Sequence, residues 1–186
     1  AIYVLDAFCW FFSWHESLLM PFKVNLTTVV FMTLIQELMN QAAVGGLLNA
    51  QAIKRFTPAE IRETIQSLVA TEQLELANAL GDAGMSLHPG SEDILAITSL
   101  LAMMNQDWPL AVELIDELMQ IQGVTTPPFT YVMLVRALRC NLDPMRALAV
   151  ARQGLALYPD QLELQAEMLS LDDFSDSMMV SSTAQH

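Results

Sequence analysis

The residues able to do chemistry are few and far apart in the sequence. The histidines are His15, His88 and His186, and the cysteines are Cys9 and Cys140. Their spacing matches neither the His-Glu-x-x-His pattern nor a metal-binding cysteine pair, and no glycine-rich phosphate loop occurs. No motif brings a nucleophile and a base together. We therefore predict no enzyme activity and no catalytic, cofactor-binding or metal site, with an unrecognised catalytic site as the least favoured alternative.

The cysteines and His88 have structural interpretations. Two cysteines are too few for a disulfide framework, so we expect Cys9 and Cys140 to be reduced and buried, in a reducing compartment. His88 stands just before Pro89, as Tyr158 stands just before Pro159, which predicts a turn residue at the end of a helix.

The composition excludes several functional classes. The chain has 186 residues, 53% of them hydrophobic, which is enough to bury a core and argues against general disorder. Its 8 basic and 21 acidic residues give a formal net charge of −13. Binding to nucleic acid or to anionic lipid begins with clustered Lys and Arg, so neither partner is expected.

Residues 1–56 form the most apolar part of the chain, and we predict an N-terminal helical segment there. The uncharged run Val24–Gln36 has 13 residues, too few to span a membrane, and it contains several polar side chains. The first basic residue is Lys23, so the basic start of a signal peptide is not found. We expect no membrane span, and whether residues 1–19 are native to the protein stays open.

Regular helix signals begin at residue 57. The Thr57-Pro58-Ala59-Glu60 segment combines an N-cap threonine, a proline in the first turn and a glutamate three residues after the cap. Five further helices are predicted to start at Gln73, at Ser91 and after three caps that precede or contain proline, Asp107-Trp108-Pro109, Thr126-Pro127 and Asp143-Pro144. A last helix over residues 161–171 precedes an acidic tail, 172–186, that is predicted to be disordered.

The helices recur in pairs with a period of about 35 residues. The segment from Leu76 to Pro89 aligns with that from Arg146 to Pro159, 70 residues later, and Ala111 lies between Ala77 and Ala147. A small side chain at this position lets the second helix of each pair approach the first closely.

This pattern resembles the tetratricopeptide repeat (TPR), whose units are helix hairpins of about 34 residues. The resemblance covers roughly residues 57–160. It implies an all-α, right-handed superhelix of three hairpins, with an N-terminal helical cap and a C-terminal capping helix that carries Glu163 and Glu167 on its partner-free face. The small residue usual in the first helix is Ile65, Ser99 and Val135 here, so only the second unit complies. A helical bundle of other ancestry therefore stays open.

In such repeats the first helices line a concave face that binds peptides. Projecting the repeat register predicts a groove with an apolar middle and arginines at both ends. Such a groove suits an apolar helix or extended segment of a partner that has acidic or carbonyl groups at its ends. The predicted groove residues are Arg62, Gln66, Val69, Leu100, Met103, Phe129, Val132, Arg136 and Arg139, and Asp93 and Ala96 fall on the same face. The lysines and asparagines of the family's carboxylate clamp are not matched.

The chain also resembles the small TPR chaperones of bacterial type III secretion. Segments similar to that group are Pro127-Pro128-Phe129-Thr130 and Met104-Asn105-Gln106-Asp107. The resemblance implies a cytoplasmic bacterial protein that keeps an apolar client soluble until export. The alternative is a scaffold subunit that docks into a larger bacterial complex through its N-terminal helices. A homodimer or heterodimer formed through the same helices is a separate partner prediction.

Overall fold

The structure, a computed structural model, describes residues 55–171. Over this range the chain forms seven α-helices and one short 3₁₀-helix, and no strand. The α-helices are α1 (Pro58–Ala70), α2 (Leu74–Leu87), α3 (Glu92–Met104), α4 (Trp108–Gln122), α5 (Pro128–Cys140), α6 (Pro144–Leu157) and α7 (162–171), and the 3₁₀-helix is Gly123–Thr125. Neighbouring helices pack in chain order, with α1 also against α3. The predictions for residues 1–54 and 172–186 lie outside the described residues.

Three of the predicted side-chain caps form, at the starts of α1, α4 and α6. At α1 the Thr57 hydroxyl accepts from the Glu60 backbone N–H (3.3 Å), and the Glu60 carboxylate accepts from the Thr57 N–H (2.8 Å). The Asp107 and Asp143 carboxylates accept backbone N–H groups in the first turns of α4 and α6. The prediction for Thr126 is wrong, because Pro127 is the N-cap of α5 and the Thr126 hydroxyl donates to the Gly123 carbonyl instead.

The same turn joins the two helices of every hairpin. Its middle residue has a positive φ of about 60° at Glu72, Gln106 and Leu142. The next residue donates its N–H to the carbonyl five positions earlier, at 2.9 Å in each of the three turns. This geometry satisfies carbonyl groups that would otherwise be unpaired at the helix end. Positions 72, 106 and 142 are 34 and 36 residues apart, so the turns have the period predicted from the alanines.

The predicted alanine positions hold the hairpins together. Ala77, Ala111 and Ala147 are all fully buried, as are Ala151 and Gly81 one turn later. The apolar side chains form two clusters, one on α1, α2 and α3 and a larger one that extends from α3 to α7. Leu100 on α3 packs against both clusters, so the two cores meet at the second hairpin.

Candidate functional site

The predicted groove residues occupy equivalent positions on α1, α3 and α5. Gln66, Leu100 and Arg136 are separated by 34 and 36 residues, as are Val69, Met103 and Arg139. All six of these side chains, and Arg62 and Phe129, are partly exposed. We name this face, formed by the first helix of each hairpin, the first-helix face.

Val132 differs from the other predicted groove residues. It has no exposed surface and belongs to the larger core cluster. The sequence register placed it correctly on α5 but did not show how far that part of the helix is covered. Val132 therefore supports the core, and the prediction that it forms an exposed wall of the groove is wrong.

The two charged ends of the first-helix face are neutralised from within the chain. On α1, Arg62 forms an ion pair with Asp93 of α3. At the other end, the Glu167 carboxylate of α7 accepts from Arg136 Nε at 2.5 Å and, through its second oxygen, from Arg139. Each pair bridges two adjacent first helices, with α7 in the place of a fourth.

Glu167 corrects a prediction about α7. It is only 8% exposed and faces the arginines of α5, whereas Glu163 lies exposed as predicted. A carboxylate with so little contact with water is stable there because two guanidinium groups share its charge. Sequence analysis placed Asp93 on the groove face but did not predict that Asp93 or Glu167 pairs with an arginine. The signal was present, since Arg62 precedes Asp93 and Arg136 precedes Glu167 by 31 residues.

Between the Arg62–Asp93 ion pair and the two ion pairs of Glu167, the part of the first-helix face on α3 and the start of α5 is apolar. Its partly exposed residues there are Ala96, Leu100, Met103 and Phe129. Three come from α3 and one from the start of α5, and all four pack against the larger core cluster from its edge. We name these four residues the apolar strip. It offers a partner dispersion contacts and burial of apolar surface, with polar contacts at its ends.

The described residues contain little that could support catalysis. Within residues 55–171 no three His, Cys, Asp or Glu side chains are grouped closely enough to hold a metal ion. An open depression of about 590 Å³ lies along α4 and is lined by Pro109, Val112, Glu113, Asp116, Glu117 and Gln120. Its carboxylates have no histidine or nucleophile beside them among these lining residues. The predicted absence of enzyme activity stays a prediction.

Cys140 ends α5 and is a free thiol, but it is exposed, so the prediction that it is buried is wrong. Partial desolvation of the sulfur raises the pKa of the Cys140 thiol, the Arg139 charge lowers it, and the Glu167 carboxylate adds a smaller rise. The thiol is thus largely protonated at neutral pH and is a poor nucleophile there.

Within the described part of the chain, none of the helices has the length and apolar character needed to cross a membrane.

Comparisons with known proteins define the fold. The chain is similar to the TPR domain of Arabidopsis OM64, with 14% identity, a TM-score of 0.54, and coverage of 62% of this chain and 97% of that one. It is also similar to the "MamA RS-1 ArsTM double mutant" (11% identity, TM-score 0.59, coverage 86% and 90%) and to "MamA MSR-1 C2" (14% identity, TM-score 0.59, coverage 82% and 89%).

No family model and no curated protein matches the sequence. The similar structures confirm the predicted fold class, an all-α superhelix of TPR-like hairpins with a C-terminal capping helix. At these identities the likeness concerns the fold alone.

Proposed function

We infer that this chain is a non-enzymatic protein-binding module that holds an apolar helix or extended segment of a partner protein on the first-helix face. The apolar strip carries the proposal. Its four side chains remain partly exposed, whereas Leu95, Ile97 and Leu101 on α3 and residues 130–135 on α5 are buried. TPR-like architecture supports it, because stacked hairpins present their first helices as a continuous surface.

The internal ion pairs change what the partner must provide. Arg62, Arg136 and Arg139 each have a carboxylate of this chain beside them, so an acidic partner group would have to share or displace it. Most of the affinity for the partner would then come from the apolar strip, while the charged ends restrict which partner segments can bind. This differs from the sequence prediction, in which the arginines awaited acidic groups of the partner.

The finer proposal is that the partner is an export substrate and that the protein acts as a cytoplasmic bacterial secretion chaperone. Covering an aggregation-prone segment needs an apolar surface on a protein that stays soluble, and a net charge of −13 favours solubility. The resemblance to type III secretion chaperones rests on the two short segments that contain Phe129 and Asn105.

Affinity isolation from the native cell, with a matched pair of variants, tests both levels of the proposal. Met103→Glu places a charge in the apolar strip, and the control Met145→Glu makes the same change on α6, where the side chain is 78% exposed. We expect one client to co-purify at 1:1 with the wild type and the control, and about tenfold less with Met103→Glu. Equal recovery with all three would contradict binding on the first-helix face, and a client that is never exported would contradict the chaperone role.

The scaffold alternative predicts a different outcome. If the N-terminal helices are the main interface, polar substitutions within residues 24–39 abolish co-purification while Met103→Glu has no effect. Those residues lie outside the described range, so the alternative rests on the sequence alone. Arg136 is unsuitable for this comparison, because its substitution would also disturb the contact with Glu167.

A further inference from the structure

The capping helix α7 has an apolar face that lies open at the end of the stack. Leu169 is 65% exposed, whereas the equivalent residues of the first helices of the three hairpins, Ile65, Ser99 and Val135, are fully buried. Ile65 and Val135 belong to the two core clusters, and Ser99 is buried without any exposed surface. Helix α7 therefore has the place of the first helix of a fourth hairpin, and among the described residues no second helix covers it.

Two further apolar residues on this side of α7 are exposed, and they flank the exposed Gln165, whose side-chain amide donates to the Pro159 carbonyl. Leu162 is 76% exposed and Ala166 is exposed. Residues 162, 166 and 169 are spaced i, i+4 and i+7, so they form one stripe along the helix. We name Leu162, Ala166 and Leu169 the end face. In repeat proteins the outer side of a terminal helix is usually polar, so two exposed leucines in ten residues need an explanation.

The end face belongs to a well-anchored helix. On the opposite side of α7, Leu164 is fully buried and Leu171 is 5% exposed. Glu167 adds its two ion pairs to α5. Because α7 is fixed from behind, a partner would meet a preformed surface and would not have to order this helix on binding.

Charge indicates what kind of partner fits. Asp160 and Glu163 are exposed beside the end face, and residues 160–171 contain no lysine or arginine. The third acidic residue of this segment, Glu167, is already paired with Arg136 and Arg139. The segment 172–186 carries three acidic residues and no basic one, and a second copy of the chain is itself strongly acidic, so both are electrostatically unfavourable occupants. Basic flanks on an apolar helix would complement this surface.

We propose that the end face is a second protein-binding site, which takes a basic amphipathic helix of a partner as the missing second helix of a fourth hairpin. The site lies on α7, beyond the three helices that form the first-helix face, and does not depend on the function proposed for that face. The helix would place apolar side chains spaced i, i+4 and i+7 on Leu162 and Leu169, with lysines or arginines near Asp160 and Glu163.

Direct binding of synthetic peptides to the full chain tests this proposal. The probe is a fluorescent helical peptide of about 18 residues with a leucine stripe and lysine flanks, compared with one that has the same stripe and glutamate flanks. Fluorescence anisotropy should show binding of the lysine peptide, at least about tenfold weaker binding of the glutamate peptide, and weakening by salt. The double variant Leu162→Ser/Leu169→Ser should lower the affinity for the lysine peptide about tenfold or more.

Matched controls separate this site from other apolar surface. Val124→Ser/Leu142→Ser removes two side chains that are 99% and 87% exposed elsewhere, and it should leave peptide binding unchanged. Met103→Glu, in the apolar strip, should leave it unchanged as well. If the end-face variant binds as the wild type does, or if the two peptides bind equally, the proposal is wrong.

The proposal of a basic partner helix would also be wrong if the end face were covered by residues 172–186 or by a second copy of the chain. If residues 172–186 cover the end face, a chain ending at Leu171 binds the lysine peptide more tightly than the full chain does. If a second copy covers it, sedimentation shows a concentration-dependent dimer that Leu162→Ser/Leu169→Ser abolishes. A monomer with unchanged peptide affinity after truncation supports a basic helix supplied by another protein.

Discussion

At the scale of single residues, Glu167 joins α7 to α5 through both of its carboxylate oxygens. Hydrogen bonds between charged partners are stronger than neutral ones, and their loss leaves the remaining charges poorly solvated. Here those remaining charges would be Arg136 and Arg139, which are already partly screened by water because their side chains are 19% and 29% exposed. The cost of losing Glu167 should therefore be moderate.

We expect Glu167→Gln to lower the free energy of unfolding by about 1–3 kcal/mol, measured by urea denaturation. The control is Glu163→Gln, on the same helix but exposed, which should change stability by less than about 0.5 kcal/mol. Equal effects of the two substitutions would mean that the Glu167 ion pairs add little to the docking of α7.

Cys140 gives a pH-dependent prediction at the same end of the stack. Because desolvation, and to a smaller extent Glu167, raise its pKa, the folded state holds the thiol proton more tightly than the unfolded state does. Stability from this group is present below the unfolded pKa and falls as pH rises through the folded pKa. The measurement is the pH midpoint of Cys140 alkylation by iodoacetamide, in a Cys9→Ser background. The midpoint of the folded protein should lie above that of the urea-unfolded chain, and Glu167→Gln should lower the midpoint of the folded protein. A folded midpoint at or below the unfolded one would contradict this.

At the scale of elements, the three hairpin turns share one backbone geometry but not one residue type. The middle position is occupied by Glu72, Gln106 and Leu142, all with positive φ. That conformation costs a residue with a side chain about 1–2 kcal/mol, and asparagine tolerates it best among residues other than glycine. Leu142 is 87% exposed, so little apolar burial compensates for the strain.

Leu142→Asn should therefore stabilise the chain by about 0.5–1 kcal/mol, seen as a higher midpoint of thermal or urea unfolding. Val124→Asn is the matched control, since Val124 is 99% exposed but has no positive φ, and its effect should be within about 0.5 kcal/mol of zero. If Leu142→Asn destabilises the protein, the leucine makes contacts that outweigh the backbone strain.

The elements were largely predictable from sequence, because proline, aspartate and threonine mark the helix starts and the alanines set the hairpin period. All six hairpin helices have predicted starts within one or two residues of those observed, and at α5 the cap is Pro127 and not Thr126. Burial and pairing were harder to predict. Val132 looks like a groove residue in the repeat register, and Glu167 looks like a surface residue on a capping helix. Their real surroundings depend on how adjacent first helices pack, which spacing within one helix does not reveal.

At the scale of the whole molecule, the two core clusters suggest two units of stability. One comprises α1, α2 and part of α3, and the other extends from α3 to α7. In a stack of repeats each hairpin contacts only its neighbours, so a local defect should spread over a limited distance. A defect in the third hairpin can test whether the first hairpin keeps its own stability.

Gly154→Ala provides that defect. Helix interiors usually gain about 1 kcal/mol from this change, but here the added Cβ would lie 2.9 Å from Leu164 Cδ1 and 3.1 Å from Cβ and Cγ of Tyr131. The closely packed side chains of α5 and α7 must shift, so we expect a net loss of about 1 kcal/mol or more. Gln153→Ala, at the exposed neighbouring position, should be neutral or slightly stabilising.

Hydrogen exchange followed by mass spectrometry shows how far the Gly154→Ala defect spreads. Peptides from α5, α6 and α7 should exchange faster than in the wild type, while those from α1 and α2 keep their protection, because they lie in the other core cluster. Peptides from α3 should show mixed changes in exchange rate, since Leu100 of this helix packs against both clusters. If protection falls equally from α1 to α7, the chain unfolds as a single cooperative unit and a partner bound at either end would stabilise all of it.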